Sequence, residues 1–389
     1  MQPTGVLETS KATNPLKALL NYGQSMWLDY IRRDLITSGS LKKMIEVDGL
    51  RGMTSNPSIF EKAIGESSLY DDMLKSPASR ELDTIGRYEQ LAIRDIQGAA
   101  DVLRLVYESS KCRDGYVSLE VSPLLALKTQ ETIEEARRLW KAVNRENVMI
   151  KVPGTAEGLP AIRQLIGEGI NINVTLLFAQ EVYEKVAEAH IAGLEDLAKR
   201  GGNLNKIAGV ASFFISRIDT LVDSMIEDKL KTAADAQQQA LLKSLLGKVA
   251  IANGKLAYQR YQRIFGAPRW EALAAKGGQT QRVLWASTST KNPAYRDVMY
   301  IEELIGPDTV NTMPPATIDA FRDHGRLRNS LTEDVANSQK VMDDLAKAGI
   351  SIKEVTSKLT TDGVKLFADA FHKLLAAVEK STQQQGKTA

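Results

Sequence analysis

The sequence alternates between short apolar runs and longer amphipathic segments, and this alternation limits the folds that the chain can form. Eight of the runs are candidate strands, over residues 25–30, 50–55, 116–121, 148–152, 172–177, 207–213, 283–287 and 309–313. The segments between them have helical periodicity, and one of these, residues 180–199, ends at a basic residue and two glycines that suit a helix C-terminus. Repeated β-α units are typical of helices packed around a parallel sheet, and eight of them predict a closed (β/α)8 TIM barrel.

The sequence also predicts how the rest of the chain is arranged around this barrel. We expect residues 1–389 to form a single domain, because barrels with insertions often exceed 250 residues and no Pro/Gly/Ser-rich linker divides the chain. Residues from about 216 to 265 are rich in Ala, Gln, Leu and Lys and predict a helical insertion after the sixth strand. Residues from about 325 to 380 predict a C-terminal helical extension that packs outside the barrel.

Composition and charge exclude several classes of partner. The 50 Lys and Arg residues are balanced by 48 Asp and Glu, and both signs are spread along the chain, so we expect neither nucleic acid nor a membrane surface as a partner. No segment has the ~18 apolar residues of a membrane helix. Cys112, the single cysteine, cannot form an internal disulfide, and Met1-Gln2-Pro3-Thr4 lacks the start of a secretory signal, which predicts a reducing cytoplasm.

The residues available for catalysis are limited as well. The three histidines, His190, His324 and His372, are far apart, and HExxH and CxxC motifs are absent, so we predict no metal site. The glycine-rich motifs of ATPases and dinucleotide enzymes are also absent, and we expect no cofactor. Any chemistry therefore depends on lysine, carboxylates and hydroxyl groups.

Lys151 is the most informative residue, because it interrupts the apolar run Val148-Met149-Ile150-Lys151-Val152. Lysine is rarely buried, and burial favours the uncharged amine, which can attack a ketone and form a Schiff base. A lysine at a strand end whose head group reaches water is the more common case when a strand lysine is considered alone. The residues at the neighbouring strand ends are therefore needed to distinguish a Schiff-base lysine from a solvated one.

Polar residues recur at the ends of other candidate strands, where the loops of a barrel form its active site. Asp29, Glu120, Asn173 and Thr175 each stand at such a position. A carboxylate in a buried strand costs free energy unless it is paired or functional. A helix-capping Asp29, a salt-bridged Glu120, and Asn173 and Thr175 bonded to loop amides are about as well supported as catalytic roles.

Three further strand exits carry hydroxyl groups and cations. Thr54-Ser55-Asn56-Pro57 follows the second strand, Arg217 follows Ser212, and Lys291 follows Ser287. Two cations with several hydroxyls suit a phosphate group. A simple Asn-Pro turn, a solvated Arg217 in the first turn of a helix and an ordinary loop lysine at 291 are the alternatives.

Two motifs resemble the signatures of the transaldolase family. They are Gly52-Met53-Thr54-Ser55-Asn56-Pro57-Ser58-Ile59 and Ile150-Lys151-Val152-Pro153-Gly154-Thr155-Ala156-Glu157-Gly158-Leu159, and residues 24–35 resemble its longer bacterial subgroup in particular. The resemblance extends from about Pro15 to Ile318. It implies a (β/α)8 barrel, circularly permuted relative to other class I aldolases, with the reactive lysine on the fourth strand, which is where the strand order above puts Lys151.

The resemblance also implies roles for individual residues. Lys151 matches the Schiff-base nucleophile, Asp29 the general acid/base at the sugar hydroxyl, and Glu120 a carboxylate that works through a water. The remaining residues match positions that hold the substrate, its phosphate or that water, and they are Thr54, Ser55, Asn56, Asn173, Thr175, Ser212, Phe214, Arg217 and Ser287. Shorter transaldolases have an Ala-Ser-Phe-Arg segment after the seventh strand, and Lys291 is the candidate to replace its arginine as second phosphate contact.

The implied activity belongs to the non-oxidative pentose phosphate pathway. A dihydroxyacetone unit would pass from sedoheptulose 7-phosphate or fructose 6-phosphate to glyceraldehyde 3-phosphate or erythrose 4-phosphate, without a cofactor, in a monomer or homodimer. A lyase such as fructose 6-phosphate aldolase is the alternative enzyme, although that group has tyrosine at the position of Phe214 and glutamine at that of Glu120. A non-catalytic barrel that binds phosphosugars with Lys151 protonated is an alternative from a different class.

Overall fold

Eight parallel strands close into a barrel in the computed structural model, which describes residues 14–383 and so excludes the Met1–Thr4 segment. Each strand pairs with its neighbours in chain order, and the last pairs with the first, which confirms the predicted TIM barrel. The strands are β1 Gln24–Asp29, β2 Gly52–Thr54, β3 Tyr116–Glu120, β4 Val148–Pro153, β5 Ile172–Leu177, β6 Gly209–Phe214, β7 Arg282–Ala286 and β8 Thr309–Met313.

Helices surround this barrel and start at local capping signals; for example, the Asn56 side chain accepts a hydrogen bond from the amide of Ile59. The helices are α1 Pro15–Ala18, α2 Arg33–Thr37, α3 Ser40–Asp48, α4 Pro57–Gly65, α5 Asp71–Lys75, α6 Pro77–Arg80, α7 Thr84–Val102, α8 Arg104–Ser109, α9 Thr129–Val143, α10 Gly158–Gly167, α11 Gln180–Lys199, α12 Ser216–Leu230, α13 Ala236–Leu245, α14 Val249–Phe265, α15 Pro268–Ala274, α16 Met299–Glu302, α17 Pro315–His324, α18 Val335–Lys347 and α19 Ile352–Gln383. Short 3-10 turns are Leu19–Tyr22, Pro123–Leu125, Leu204–Lys206 and Ser330–Thr332. None of the helices between residues 14 and 383 has the length and apolar character needed to cross a membrane.

The strand boundaries differ from the predicted ones where a neighbouring turn competes for the same residues. Strands β5 and β8 have the predicted bounds. Strand β2 is three residues long because the chain leaves the sheet at Ser55 to begin α4 at its Asn56 cap. Strand β6 begins two residues later than predicted, because Ile207 closes the preceding 3-10 turn.

A tryptophan on β1 packs over a glycine on the neighbouring strand β2. Trp27 of β1 is fully buried and lies opposite Gly52 of β2. A Cβ atom on Gly52 would lie 2.5 Å from the Trp27 ring, so only glycine leaves room for the indole there. The barrel is thus a packed core, and a ligand can be accommodated only at its ends.

The register of the strands brings polar side chains to one level near their carboxyl ends. Glu120 of β3 lies opposite Lys151 of β4, and Lys151 lies opposite Asn173 of β5. On the neighbouring pair of strands, Asp29 of β1 lies opposite Thr54 of β2. Residues that are far apart in sequence therefore share one layer at the carboxyl end.

The last helix, α19, crosses the carboxyl ends of the strands. It packs on α4, α7 and α12 and also contacts β5. Five of its side chains between Leu366 and Lys373 line the cavity at that end of the barrel. Helix α19 thus lies across the mouth of the barrel, a placement that the predicted C-terminal helical extension did not specify.

Candidate active site

A cavity of about 780 Å³ opens at the carboxyl ends of the strands. Ten of the thirteen residues predicted for the site line it, and they are Asp29, Thr54, Asn56, Lys151, Thr175, Ser212, Phe214, Arg217, Ser287 and Lys291. The other three, Ser55, Glu120 and Asn173, lie directly behind the wall and contact the lining residues, as the following geometry describes. The structure therefore brings all thirteen predicted residues together.

Lys151 is buried at the base of the cavity and is only 6 % exposed. Its Nζ donates a hydrogen bond to the carbonyl oxygen of Ser55, at 2.8 Å, and lies 3.4 Å from Oε2 of Glu120. Ser55 contributes through its backbone, because its hydroxyl group donates to the carbonyl of Ser118 instead. The alternative of a strand-end lysine whose head group reaches water is therefore wrong.

Glu120 is a buried carboxylic acid next to an amine. Burial raises the pKa of Glu120 above its usual value, and the charge and hydrogen bond of Lys151 partly oppose this rise. The salt bridge of Glu120 with Lys151 is one of the alternatives considered above, and the structure contains it, with 3.4 Å between Nζ and Oε2.

Asp29 lies on the wall formed by β1 and β2. The hydroxyl group of Thr54 donates a hydrogen bond to its Oδ1 at 2.7 Å, and Thr54 also lies 2.8 Å from the hydroxyl of Thr312. Burial raises the pKa of Asp29, and Thr54, Lys151 and Lys291 oppose that rise. Asp29 does not cap α2, whose N-cap is Arg32.

A chain of hydrogen bonds across three strands forms the floor of the site. The amide of Asn173 donates to the hydroxyl of Ser118 at 3.0 Å and accepts from the hydroxyl of Ser212 at 2.7 Å. Asn173 is fully buried and supports the floor from below. Thr175 differs, because the residue lines the cavity while its hydroxyl oxygen is buried and has no hydrogen-bond partner among residues 14–383.

Two of the cations that line the cavity, Arg217 and Lys291, follow β6 and β7. Arg217 is half-buried with its guanidinium 5.1 Å from the centre of the Phe214 ring, and within residues 14–383 no carboxylate forms an ion pair with it. Lys291 is exposed, and its Nζ donates to the hydroxyl of Ser289 at 2.7 Å. A half-buried guanidinium without a carboxylate partner is suited to an anionic ligand.

Two strand ends at the cavity have a left-handed backbone. Leu176 follows Thr175 with φ +62°, and Ser287 follows Ala286 with φ +56°. This region is costly for residues other than glycine and occurs preferentially at functional sites. The β5–β6 register also shifts between Val174 and Leu177, so the pairing of β5 is irregular immediately after Thr175.

Sequence reasoning missed the contribution of α19 to this cavity. Leu366, Phe367, Asp369, Ala370 and Lys373 line it, and the Phe367 ring centre is 6.0 Å from Nζ of Lys151. No motif marks these positions, and apolar residues on a helix are usually part of a core.

The arrangement of groups suits the chemistry of a carbonyl compound that carries a phosphate. A buried amine can add to a carbonyl group, two carboxyl groups with raised pKa values can move protons, and the cations can hold an anion. Between residues 14 and 383, no group of three His, Cys, Asp or Glu side chains is placed to hold a metal ion.

Comparison with known proteins gives one consistent result. Residues 26–378 match the model of the transaldolase/fructose-6-phosphate aldolase family. The chain is 49 % identical over 374 residues to a transaldolase of Trichodesmium erythraeum, which covers 96 % of this chain and 98 % of the relative. It is 49 % identical over 371 residues to transaldolase 2 of Nostoc punctiforme, with 95 % and 97 % covered. A transaldolase of Saccharopolyspora erythraea is 44 % identical over 370 residues, with 95 % and 98 % covered.

Proposed function

The chain belongs to the transaldolase/fructose-6-phosphate aldolase family, and from this membership we propose that it transfers a dihydroxyacetone unit between sugar phosphates through a Schiff base on Lys151. The observation that carries the proposal is the position of Lys151, a buried amine between the Ser55 carbonyl and Glu120 at the base of the cavity. Expected donors are sedoheptulose 7-phosphate and fructose 6-phosphate. Expected acceptors are glyceraldehyde 3-phosphate and erythrose 4-phosphate.

The first stage joins the donor to Lys151. The free amine adds to the ketone carbon C2, and the carbinolamine then loses water to give an iminium ion. Glu120 lies 3.4 Å from Nζ and has a raised pKa, so it can accept a proton from the ammonium and return one to the departing hydroxyl group through a water. The iminium then accepts electrons from the adjacent carbon–carbon bond.

The second stage breaks and remakes that bond. Asp29 takes the proton of the C4 hydroxyl, the C3–C4 bond breaks, and its electron pair moves to the iminium as an enamine while the aldose phosphate leaves. An acceptor aldose phosphate then adds to the enamine carbon, and Asp29 returns the proton to the new hydroxyl. Hydrolysis of the product iminium frees Lys151 again.

The other residues orient the substrate. Arg217 and Lys291 would bind the phosphate group, with Ser287 at the same strand end, because these cations line the cavity on one side. Thr175, with its unpaired hydroxyl oxygen, would hold a water or a hydroxyl group of the dihydroxyacetone unit, as would Asn56. Thr54 positions Asp29, and Asn173 and Ser212 fix the floor.

Two features support transfer over release of free dihydroxyacetone. Phe214 and Glu120 differ from the tyrosine and glutamine that the resemblance implies for fructose 6-phosphate aldolases. Phe214 packs on Phe178, with ring centres 5.3 Å apart, and presents no hydroxyl group that could hold a water.

We also propose that the enzyme works in a reducing cytoplasm, which the single Cys112 supports.

Borohydride trapping tests the covalent step. The enzyme is incubated with fructose 6-phosphate without acceptor, reduced with borohydride, and analysed by intact mass and peptide mapping. The expected product is a three-carbon adduct on Lys151 in the wild type and none in Lys151→Ala. If fructose 6-phosphate binds and no adduct forms, the phosphosugar-binding alternative is correct and the covalent proposal is wrong.

A further inference from the structure

Phe367 is the α19 side chain whose aromatic ring lies nearest to the proposed nucleophile. Its ring centre is 6.0 Å from Nζ of Lys151, and its side chain is half-buried in the cavity wall. This distance leaves room for atoms attached to Nζ to lie in van der Waals contact with the ring, at about 3.5–4.0 Å. A three-carbon unit on Lys151 would therefore have Phe367 as a neighbour.

The position of Phe367 is fixed on both sides along the helix. Gly363, one turn earlier, packs directly on Leu176, and a Cβ atom there would lie 2.9 Å from Cδ2 of that leucine. Phe371, one turn later, is buried and packs edge-on against Tyr88 with ring centres 5.9 Å apart. Residues spaced by four lie on one face of a helix, so these two contacts hold the face of Phe367 against the cavity.

We propose that Phe367 covers the dihydroxyacetone unit on Lys151 and keeps proton-donating water away from its enamine carbon. The inference rests on the proposed function and deepens it, because it adds a residue that determines the ratio of transfer to release. Leu176, whose left-handed backbone directs its side chain towards Gly363, acts as a positioning residue for this cover.

The chemistry of the enamine explains why this carbon is decisive. In transfer, the enamine carbon forms a bond to the aldehyde carbon of the acceptor. In release, the same carbon takes a proton from water instead, and a second water then adds to the resulting iminium and displaces the Lys151 amine as dihydroxyacetone leaves. Hydrolysis of an iminium ends both routes, so protonation of the enamine carbon is the step that separates them.

The test compares two substitutions of Phe367 with a control on the same helix. Dihydroxyacetone release from fructose 6-phosphate without acceptor is divided by the rate of transfer to erythrose 4-phosphate. Phe367→Ala should raise this ratio about 10-fold, because it opens the cover, and Phe367→Leu should change it less than about 3-fold, because it keeps an apolar cover. His372→Ala, an exposed position on α19, should leave the ratio unchanged.

The ratio distinguishes this proposal from a structural role of Phe367. A variant in which part of the protein is unfolded loses both activities equally, so its ratio stays at the wild-type value. An unchanged ratio in both Phe367 variants would overturn the inference. Borohydride trapping is repeated on each variant, so that an adduct on Lys151 with an unchanged ratio rejects only the role of Phe367, whereas no adduct in the wild type rejects the proposed function itself.

Discussion

The two ends of the barrel interior contain the same kinds of charged side chain but differ in how completely these are paired. At the amino end, Arg282 of β7 forms a buried ion pair with Asp114 at 2.8 Å. At the carboxyl end, Lys151 contacts Glu120 at 3.4 Å, the buried hydroxyl oxygen of Thr175 has no hydrogen-bond partner among residues 14–383, and Arg217 lines the cavity without a carboxylate partner in that range. The charged groups at the amino end are therefore bound by protein partners, whereas the carboxyl end has a charged group that is available to a ligand.

The amino-end pair is satisfied on every side. Arg282 also donates to the hydroxyl of Ser25, at 2.8 Å, and to the carbonyl of Arg113, at 2.6 Å. Ser25 in turn donates to the second oxygen of Asp114 at 2.8 Å. Complete hydrogen bonding is what makes a buried ion pair tolerable, and incomplete hydrogen bonding is what leaves atoms free for a reactant.

Replacing Lys151 should have the largest effect on activity. Lys151→Ala should reduce transfer by about 10⁴-fold or more, because no Schiff base forms. The free energy of unfolding should change by about 2 kcal/mol or less, since Glu120 can take a proton once its partner is gone. Transfer assays and urea unfolding measure the two effects. Appreciable residual transfer would contradict the assignment of the nucleophile.

Breaking the Arg282–Asp114 pair at the amino end should have the opposite effects, a large loss of stability and little change in activity. Asp114→Ala should lower the free energy of unfolding by about 3–5 kcal/mol, because it leaves the Arg282 guanidinium buried without its carboxylate. The kcat/KM of the folded protein should stay within about 2-fold of wild type, because Asp114 does not line the cavity. Asp101→Ala, which breaks an exposed pair with Arg145, is the matched control and should cost less than about 1 kcal/mol. Equal losses for the two variants would contradict the contrast between the ends.

The unpaired arginine should matter for binding and little for folding. Arg217→Gln should raise KM for phosphorylated acceptors about 10- to 100-fold, since a charge-assisted hydrogen bond to phosphate is lost. Thermal stability should hardly change, because Arg217 has no carboxylate partner in the described part of the chain. Steady-state kinetics with an unphosphorylated aldose acceptor provide the control, where the variant should equal the wild type. A similar loss with both acceptors would exclude a phosphate role.

The smallest expected effect is a shift in the pH profile. Burial raises the pKa of both Asp29 and Glu120 above the ordinary 3.8 and 4.5, so their ionised forms are lost at higher pH than usual as the pH falls. The acid limb of kcat/KM should therefore lie above those values. Lys291→Gln removes a charge that lowers the pKa of Asp29 and should move this limb to still higher pH.

Lys373→Gln is the control for that shift. Lys373 lines the same cavity but is not among the charges that act on Asp29. The acid limb of the Lys373→Gln variant should coincide with that of the wild type when kcat/KM is measured across the same buffers. A limb that moves to lower pH in Lys291→Gln would contradict the electrostatic account.

Much of the fold could be predicted because its signals are local. The sequence predicts the same bounds as the structure has for β5, β8 and the helix Gln180–Lys199. Lys151 and Glu120 were predicted because a charged residue inside an apolar strand is conspicuous in sequence. Their contact depends on the β3–β4 register, which periodicity alone does not specify.

The contribution of α19 could not be predicted because its signals are not local. Phe367 is more than 200 residues from Lys151 in sequence. Helix α19 brings the two residues together, and the contact of Gly363 with Leu176 helps to hold the helix there. That contact involves Leu176, whose backbone is left-handed. This conformation is rare for leucine, and nothing in the sequence marks the position where it occurs. Helical periodicity marks the apolar face of α19 but not the surface that this face covers.

Trp27 stands on β1 between Ser25, which bonds to the Arg282–Asp114 pair, and Asp29, which lines the cavity. The charge with the largest effect on the pKa of Asp29 and on that of Glu120 is Lys151. Substitutions in the cavity lining, for a longer donor or another acceptor, should leave the hydrogen bonds of the Arg282–Asp114 pair in place, because neither the pair nor its partners line the cavity.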